Sequence, residues 1–164
     1  MLPQKTPLTI LNTLYKNEPQ AVAWIAGNEA FSALNGVVKF YSIPYSGIII
    51  EAEIFHLPDG TNGNPNAFFA FHIHENGDCA NSFQNTGNHY NPAIVPHPYH
   101  AGDMPTLMSN HGYAWMTFYD ARITVPEVLN KSVVIHRMPD DFTTQPAGNA
   151  GDKIACGIIV PVET

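Results

Sequence analysis

The stretch 67-AFFAFHIHENGDC-79 decides how the chain is read, because it sets two histidines one residue apart at the end of an apolar run and just ahead of a cysteine. The run is short and rich in aromatic residues that fit a pleated sheet, so it reads as a strand rather than a helix. Alternation directs Phe69, Phe71 and Ile73 to one face and Ala70, His72 and His74 to the other. The two imidazoles then project the same way, about 7 Å apart along the strand, within reach of one metal ion. Taken alone the pattern is weak, since two histidines on a solvent face are commoner than two ligands.

Six further runs of the same character surround it: "AVAWIA" (21–26), "GVVKFYS" (36–42), "GIIIEAEIFHL" (47–57), "GYAWMTFYD" (112–120), "KSVVIH" (131–136) and "KIACGIIV" (153–160). Turn-formers such as "LPDGTNGNPN" (57–66) separate them, and totals of 12 Gly and 14 Pro fit a loop-rich β protein. Helical periodicity is weak and confined to "VPEVLN" (125–130). About seven or eight strands predict one all-β domain over 21–164, a Greek-key antiparallel sandwich or flattened barrel, with residues 1–20 as an N-terminal extension. A hydrophobic fraction of 45% against 13% charged residues supports a folded core. The net charge of -7, with only 7 Lys and Arg, argues against a nucleic-acid partner. No apolar run approaches the length of a bilayer, so membrane insertion is not expected, and the opening "MLPQKTPLTILNTLY" lacks a charged start, so no export signal is visible in it.

The longest interval between strands, 75–111, concentrates the ligating residues, and an interval that long in a compact domain usually carries function. Within it "GNHYNPAIVPHPYHAGDM" (87–104) supplies His89, His97, His100 and Asp103. Three imidazoles and a carboxylate complete a four-coordinate zinc shell, and a shell without an open position is structural in type. "KSVVIH" ends in His136, at the strand-end position that His72 and His74 occupy on their own run. With His89 these three make an imidazole-only set that suits Cu(II). Both sets claim His89, and an imidazole that loses its second proton frees both ring nitrogens to bridge two metals. The competing reading is a polar loop with incidental histidines. It is weakened because six of the eight histidines fall at turns or strand ends; the other two, His56 and His111, are read as surface histidines with no ligand role.

In the order "FHIHENGDC", "GNHYNP", "HAGDM", "VVIH", "DD" and "GNAGDKIACGII", preceded by "LNGVVKF" and "EIFHLPDG", the chain resembles the copper/zinc superoxide dismutases over most of residues 21 to 160. The resemblance implies copper on His72, His74, His89 and His136, zinc on His89, His97, His100 and Asp103, and His89 as the bridge. Asp140 matches the family's carboxylate that links a copper-bound imidazole to a zinc-bound one, here His72 and His97; accepting an N–H from each would fix tautomer and ring direction. Cys79 and Cys156, the only cysteines, match the family's intrasubunit disulfide, which suits an oxidising compartment. The implied activity is disproportionation of superoxide anion to dioxygen and hydrogen peroxide, with His89 and Lys153 as catalytic residues. A relative that binds the metals without turnover is the alternative, and a homodimer is left open.

One departure stands out. Where the family usually carries an arginine near copper, the matching position is Lys153, preceded by Asp152. Lysine keeps the charge and loses the planar, two-pronged hydrogen bonding. The stretch between His136 and Gly148 is short beside the family's charged guiding loop and offers only Arg137 as a cation, so weak steering of an anionic substrate is expected.

Overall fold

Alternation of apolar and polar residues builds the runs into an antiparallel sheet that curls over its own buried face. The computed structural model describes residues 7–43, 47–58 and 67–163, so most of the turn-rich 57–66 segment lies outside the described residues. The strands are β1 (Ala21–Gly27), β2 (Asn35–Ser42), β3 (Ile48–Phe55), β4 (Phe68–Phe69), β5 (Phe71–His74), β6 (Leu107–Met108), β7 (Ala114–Asp120), β8 (Ser132–His136) and β9 (Lys153–Pro161). Seven of them form one sheet in the order β5-β8-β9-β1-β2-β3-β7, and β4 pairs with β6 in a second, two-stranded ribbon. Neighbours such as β9 and β1, or β3 and β7, are distant in sequence, the interleaving expected of a Greek key.

Inward residues alternate along each strand. Ala21, Ala23 and Ile25 of β1, Ile48, Ile50, Ala52 and Ile54 of β3, and Phe69, Phe71 and Ile73 of β4 and β5 meet in one core, while Trp24 stays 69% exposed. The register Phe71↔Ile135 and Ile73↔Val133 ties β5 to β8 across this core.

The expected single strand over 67–74 is broken at Ala70. Its N–H donates to Met138 O and its carbonyl accepts from His136 N, so the two residues before it turn to pair with β6 and the four after it join β8. β6 lies inside the interval expected to be loop, because two residues are too few to show a period. The N-terminal extension forms a helix that no period predicted, α1 (Pro7–Lys16). Thr9, Asn12 and Thr13 are weak helix formers that mask its apolar spacing, whereas Pro7 in the first turn and Lys16 in the last favour it. The weak periodicity near 125–130 corresponds to a single turn, α2 (Val125–Val128), where Thr124 N donates to the Glu127 carboxylate at 2.8 Å. That connection carries the chain from β7 at one edge of the sheet to β8 near the other.

Candidate metal centre

β5 has β8 on one side only, and an uncovered edge would leave its backbone groups unpaired. The loop 87–103 covers it. Tyr90 N donates to Ile73 O at 2.8 Å, Ile73 N to Gly102 O at 2.9 Å, Gly102 N to Tyr90 O at 2.8 Å, and Glu75 N to Asn88 O at 2.9 Å. The approach at Gly102 is so close that a Cβ there would lie 2.2 Å from Ile73 O, which restricts the position to glycine. This edge pairing sets His89 opposite His74 and Asp103 opposite His72. Residues from the sheet and from the loop thereby converge on one region.

Two clusters result: His72, His74, His89 and His136, and His89, His97, His100 and Asp103. In each, one nitrogen or oxygen from every member lies within 4.8 Å of the others, and all seven residues are buried. In the first cluster the outer ring nitrogens are fixed by acceptors. His74 Nδ1–H donates to Gly87 O at 3.0 Å, His136 Nδ1–H to Gly151 O at 3.2 Å, and His72 Nε2–H to Asp140 Oδ2 at 2.8 Å. A neutral ring that donates from one nitrogen carries a lone pair on the other. His74 Nε2 and His136 Nε2 thus face each other as lone pairs at 3.2 Å, an arrangement relieved by a cation between them. His72 Nδ1 and His89 Nε2 are buried with no hydrogen-bond partner. Burial drives the His72 ring down to about 4 and the His136 ring to about 3, and pushes His74 lower still. Protons are disfavoured where a metal would bind.

The second cluster is built around Asp103. Its Oδ1 accepts from His89 Nδ1 at 2.7 Å, and its Oδ2 accepts from His100 N at 3.0 Å. His97 Nδ1 lies 3.1 Å from the same Oδ2 without hydrogen-bond alignment and is unpartnered. Burial raises the Asp103 carboxyl, but the hydrogen bond and charge of His89 and the other two rings outweigh it and hold the group at about 2. Asp140 joins the clusters, taking His72 Nε2–H on Oδ2 and His97 Nε2–H on Oδ1 at 2.9 Å. Gly148, at φ +67, makes room: a Cβ there would sit 2.0 Å from Asp140 Oδ1. The neighbouring Asp141 is exposed and serves its own turn, accepting from Thr143 and Thr144. His56 and His111 are exposed and outside both clusters.

Sequence reasoning missed Asp120 and Arg122. Arg122 Nη1 donates to His100 O at 2.8 Å and Nη2 to Asp103 O, while Nε and Nη2 grip the Asp120 carboxylate at 3.1 and 2.7 Å. An acid and an arginine two residues apart at a strand end gave no sign that they hold a turn some twenty residues earlier.

The first cluster opens on a cavity of about 480 Å³ lined by His74, His89, His136 and Lys153 among others. Lys153 is half-buried there and lowered by burial from the usual lysine range. Cys79 and Cys156 form a disulfide, S–S 2.02 Å, linking the start of the loop to β9.

The profile of the family described as copper/zinc superoxide dismutase (SODC) matches residues 34–159. Superoxide dismutase [Cu-Zn] 1 of Aquifex aeolicus (strain VF5) is 36% identical over 130 residues, covering 70% of this chain and 73% of that one. The superoxide dismutase [Cu-Zn] of Legionella pneumophila is 33% identical over 132 residues and 76% of each chain. Among solved structures, a double mutant of a SOD-like protein from Bacillus subtilis superposes with a TM-score of 0.73 at 25% identity, covering 85% of this chain and 96% of that one. The clock protein EA4 gives 0.74 at 25% identity, over 89% and 97%. With a matched profile spanning both clusters, the disulfide and the strands from β2 through most of β9, the chain belongs to the copper/zinc superoxide dismutase family.

Proposed function

We propose that the protein is a superoxide dismutase that binds copper at His72, His74, His89 and His136 and zinc at His89, His97, His100 and Asp103. The observation that carries this reading is the pair of buried donor sets that share one imidazole, with unpartnered nitrogens at His72 Nδ1, His89 Nε2 and His97 Nδ1. The donor chemistry fits both metals, four nitrogens for copper and three nitrogens with a carboxylate for zinc.

Copper held by His72, His74, His89 and His136 would supply a one-electron couple for the overall conversion of two superoxide anions and two protons to dioxygen and hydrogen peroxide. The chain's own residues do the rest. His89 presents Nδ1 to the zinc set and Nε2 to the copper set and lines the cavity, so Nε2 is where a proton can be held next to the arriving anion. Asp140 keeps His72 and His97 in the tautomers that aim their free nitrogens inward. Lys153 places a positive charge on the cavity wall of a chain whose net charge is -7.

The test is to quantify copper and zinc per chain and superoxide removal on the same loaded sample. One copper and one zinc with rates well above free copper are expected. Full copper loading with no activity above that background would refute the enzyme reading and leave a metal-binding relative.

A further inference from the structure

The ammonium of Lys153 has three N–H bonds, and one loop supplies an acceptor for each: Thr86 Oγ1 at 2.8 Å, Gly87 O at 3.1 Å and Phe83 O at 3.3 Å. Two of these are backbone carbonyls that any sequence presents. Only Thr86 Oγ1 depends on a side chain. Thr86 is fully buried, and its hydroxyl donates to Phe83 O at 2.8 Å, which turns its lone pairs toward the ammonium. Gly87 O, which accepts from Lys153, also accepts from His74 Nδ1 at 3.0 Å. Asn81, Ser82 and Phe83 take φ of 53, 48 and 67, a left-handed run that non-glycine residues rarely adopt, and Phe83 packs against Val134, Cys156 and Cys79.

We propose that Thr86 is a positioning residue for Lys153: its hydroxyl completes the set of acceptors that fixes the ammonium on the cavity wall, so that the lysine acts on an arriving anion as a fixed point charge and not as a hydrogen-bond donor. The proposal rests on the dismutase reading above. A guanidinium, with five N–H groups, has donors enough to hold the loop and face a ligand together. Lysine has none left over once three acceptors are filled, and the position of its charge then depends on Thr86.

The experiment compares Thr86→Val, Thr86→Ser, Lys153→Met and the double variant Thr86→Val/Lys153→Met in copper- and zinc-loaded protein, reading kcat/KM for superoxide against ionic strength. Removing the hydroxyl is expected to lower kcat/KM about threefold at low salt and to flatten its salt dependence, the effect of displacing a charge beside a binding site. Serine should restore both, and valine should add nothing in the Lys153→Met background. Equal losses from valine in both backgrounds would overturn the proposal. A second readout needs no turnover: in zinc-loaded, copper-free protein the Lys153 Nζ signal in nitrogen-15 NMR should show slowed proton exchange, retained with serine and lost with valine or, if valine does not fold, with alanine. Unchanged exchange on losing the hydroxyl would equally overturn it. If the wild-type protein removes no superoxide, the functional reading falls, and the NMR comparison still decides the link between Thr86 and Lys153.

Discussion

The two clusters share His89 but are held by different means. In the strand-borne cluster, His72 and His74 come from β5 and His136 from β8, and sheet register sets their spacing. Their outer nitrogens rest on Gly87 O, Gly151 O and Asp140. In the loop-borne cluster, His97, His100 and Asp103 come from a segment with no regular strand or helix, and side chains give it shape. Gln145 Nε2 donates to His97 O at 2.6 Å while its Oε1 accepts from His97 N at 3.0 Å, Asn91 brackets Val95, and Arg122 takes the carbonyls of His100 and Asp103. The first cluster is therefore assembled by the sheet, and the second by clamps laid over it. Perturbations that leave the sheet intact should separate the two.

The largest effect is expected from the crosslink beneath both. Cys79 and Cys156 are 77 residues apart in sequence, and closing a loop of that length contributes about 4 to 5 kcal/mol on chain-entropy grounds. A Cys79→Ala/Cys156→Ala variant should lose about that much stability in urea unfolding of the metal-free protein. A loss below about 1 kcal/mol would mean that the backbone bonds along β5 hold the loop unaided.

Acid should act on the buried histidines before it acts on Asp103. His72 and His136 are lowered in the fold to about 4 and about 3, and His74 further, while in the unfolded chain all three protonate near 6.5. Below 6.5 the unfolded state binds more protons than the fold, so stability falls as pH drops toward 3. His72 alone accounts for a loss on the order of 3 kcal/mol. Asp103, held at about 2, acts in the same direction but later: its contribution is complete above the ordinary aspartate range and is lost as pH falls through 2. Melting temperatures of the metal-free protein should drop between pH 7 and 4, and His136→Gln should flatten that decline. A midpoint constant over that range would contradict the burial argument.

What was legible in the sequence follows the same division. Strands long enough to alternate, such as β1, β3 and β8, declared themselves, and the faces of Phe71, His72, Ile73 and His74 follow from period two alone. The break at Ala70 and the two-residue β6 had no period to display. α1 was hidden by Thr and Asn within its apolar spacing. In the loop, the ligand types are distinctive and their convergence was readable from spacing, but the clamps were not. Thr86, Gln145 and Arg122 act through hydrogen bonds across long sequence separations, and nothing local marks a threonine that receives a lysine 67 residues away. Asp140 rather than Asp141 came from family resemblance, and the geometry behind it is the opening left by Gly148.

The smallest effect, and the one that best isolates the loop, comes from Arg122. Its guanidinium satisfies two carbonyls of the turn that carries His100 and Asp103 and is itself oriented by Asp120. Arg122→Met keeps the length of the side chain and removes those donors, leaving both carbonyls to water and the turn free to widen. Zinc affinity, measured by competition with a chelator, should fall about tenfold, at the low end of the cost of losing a group that orients ligands. Copper affinity should fall less, because the outer ring nitrogens of His72, His74 and His136 rest on Asp140, Gly87 O and Gly151 O, outside that turn. Asp140→Asn is the contrasting variant: it serves one ring in each cluster and should weaken both metals. If Arg122→Met instead lowers the two affinities equally, the shared ring of His89 transmits the disturbance, and the clusters are one mechanical unit despite their separate supports.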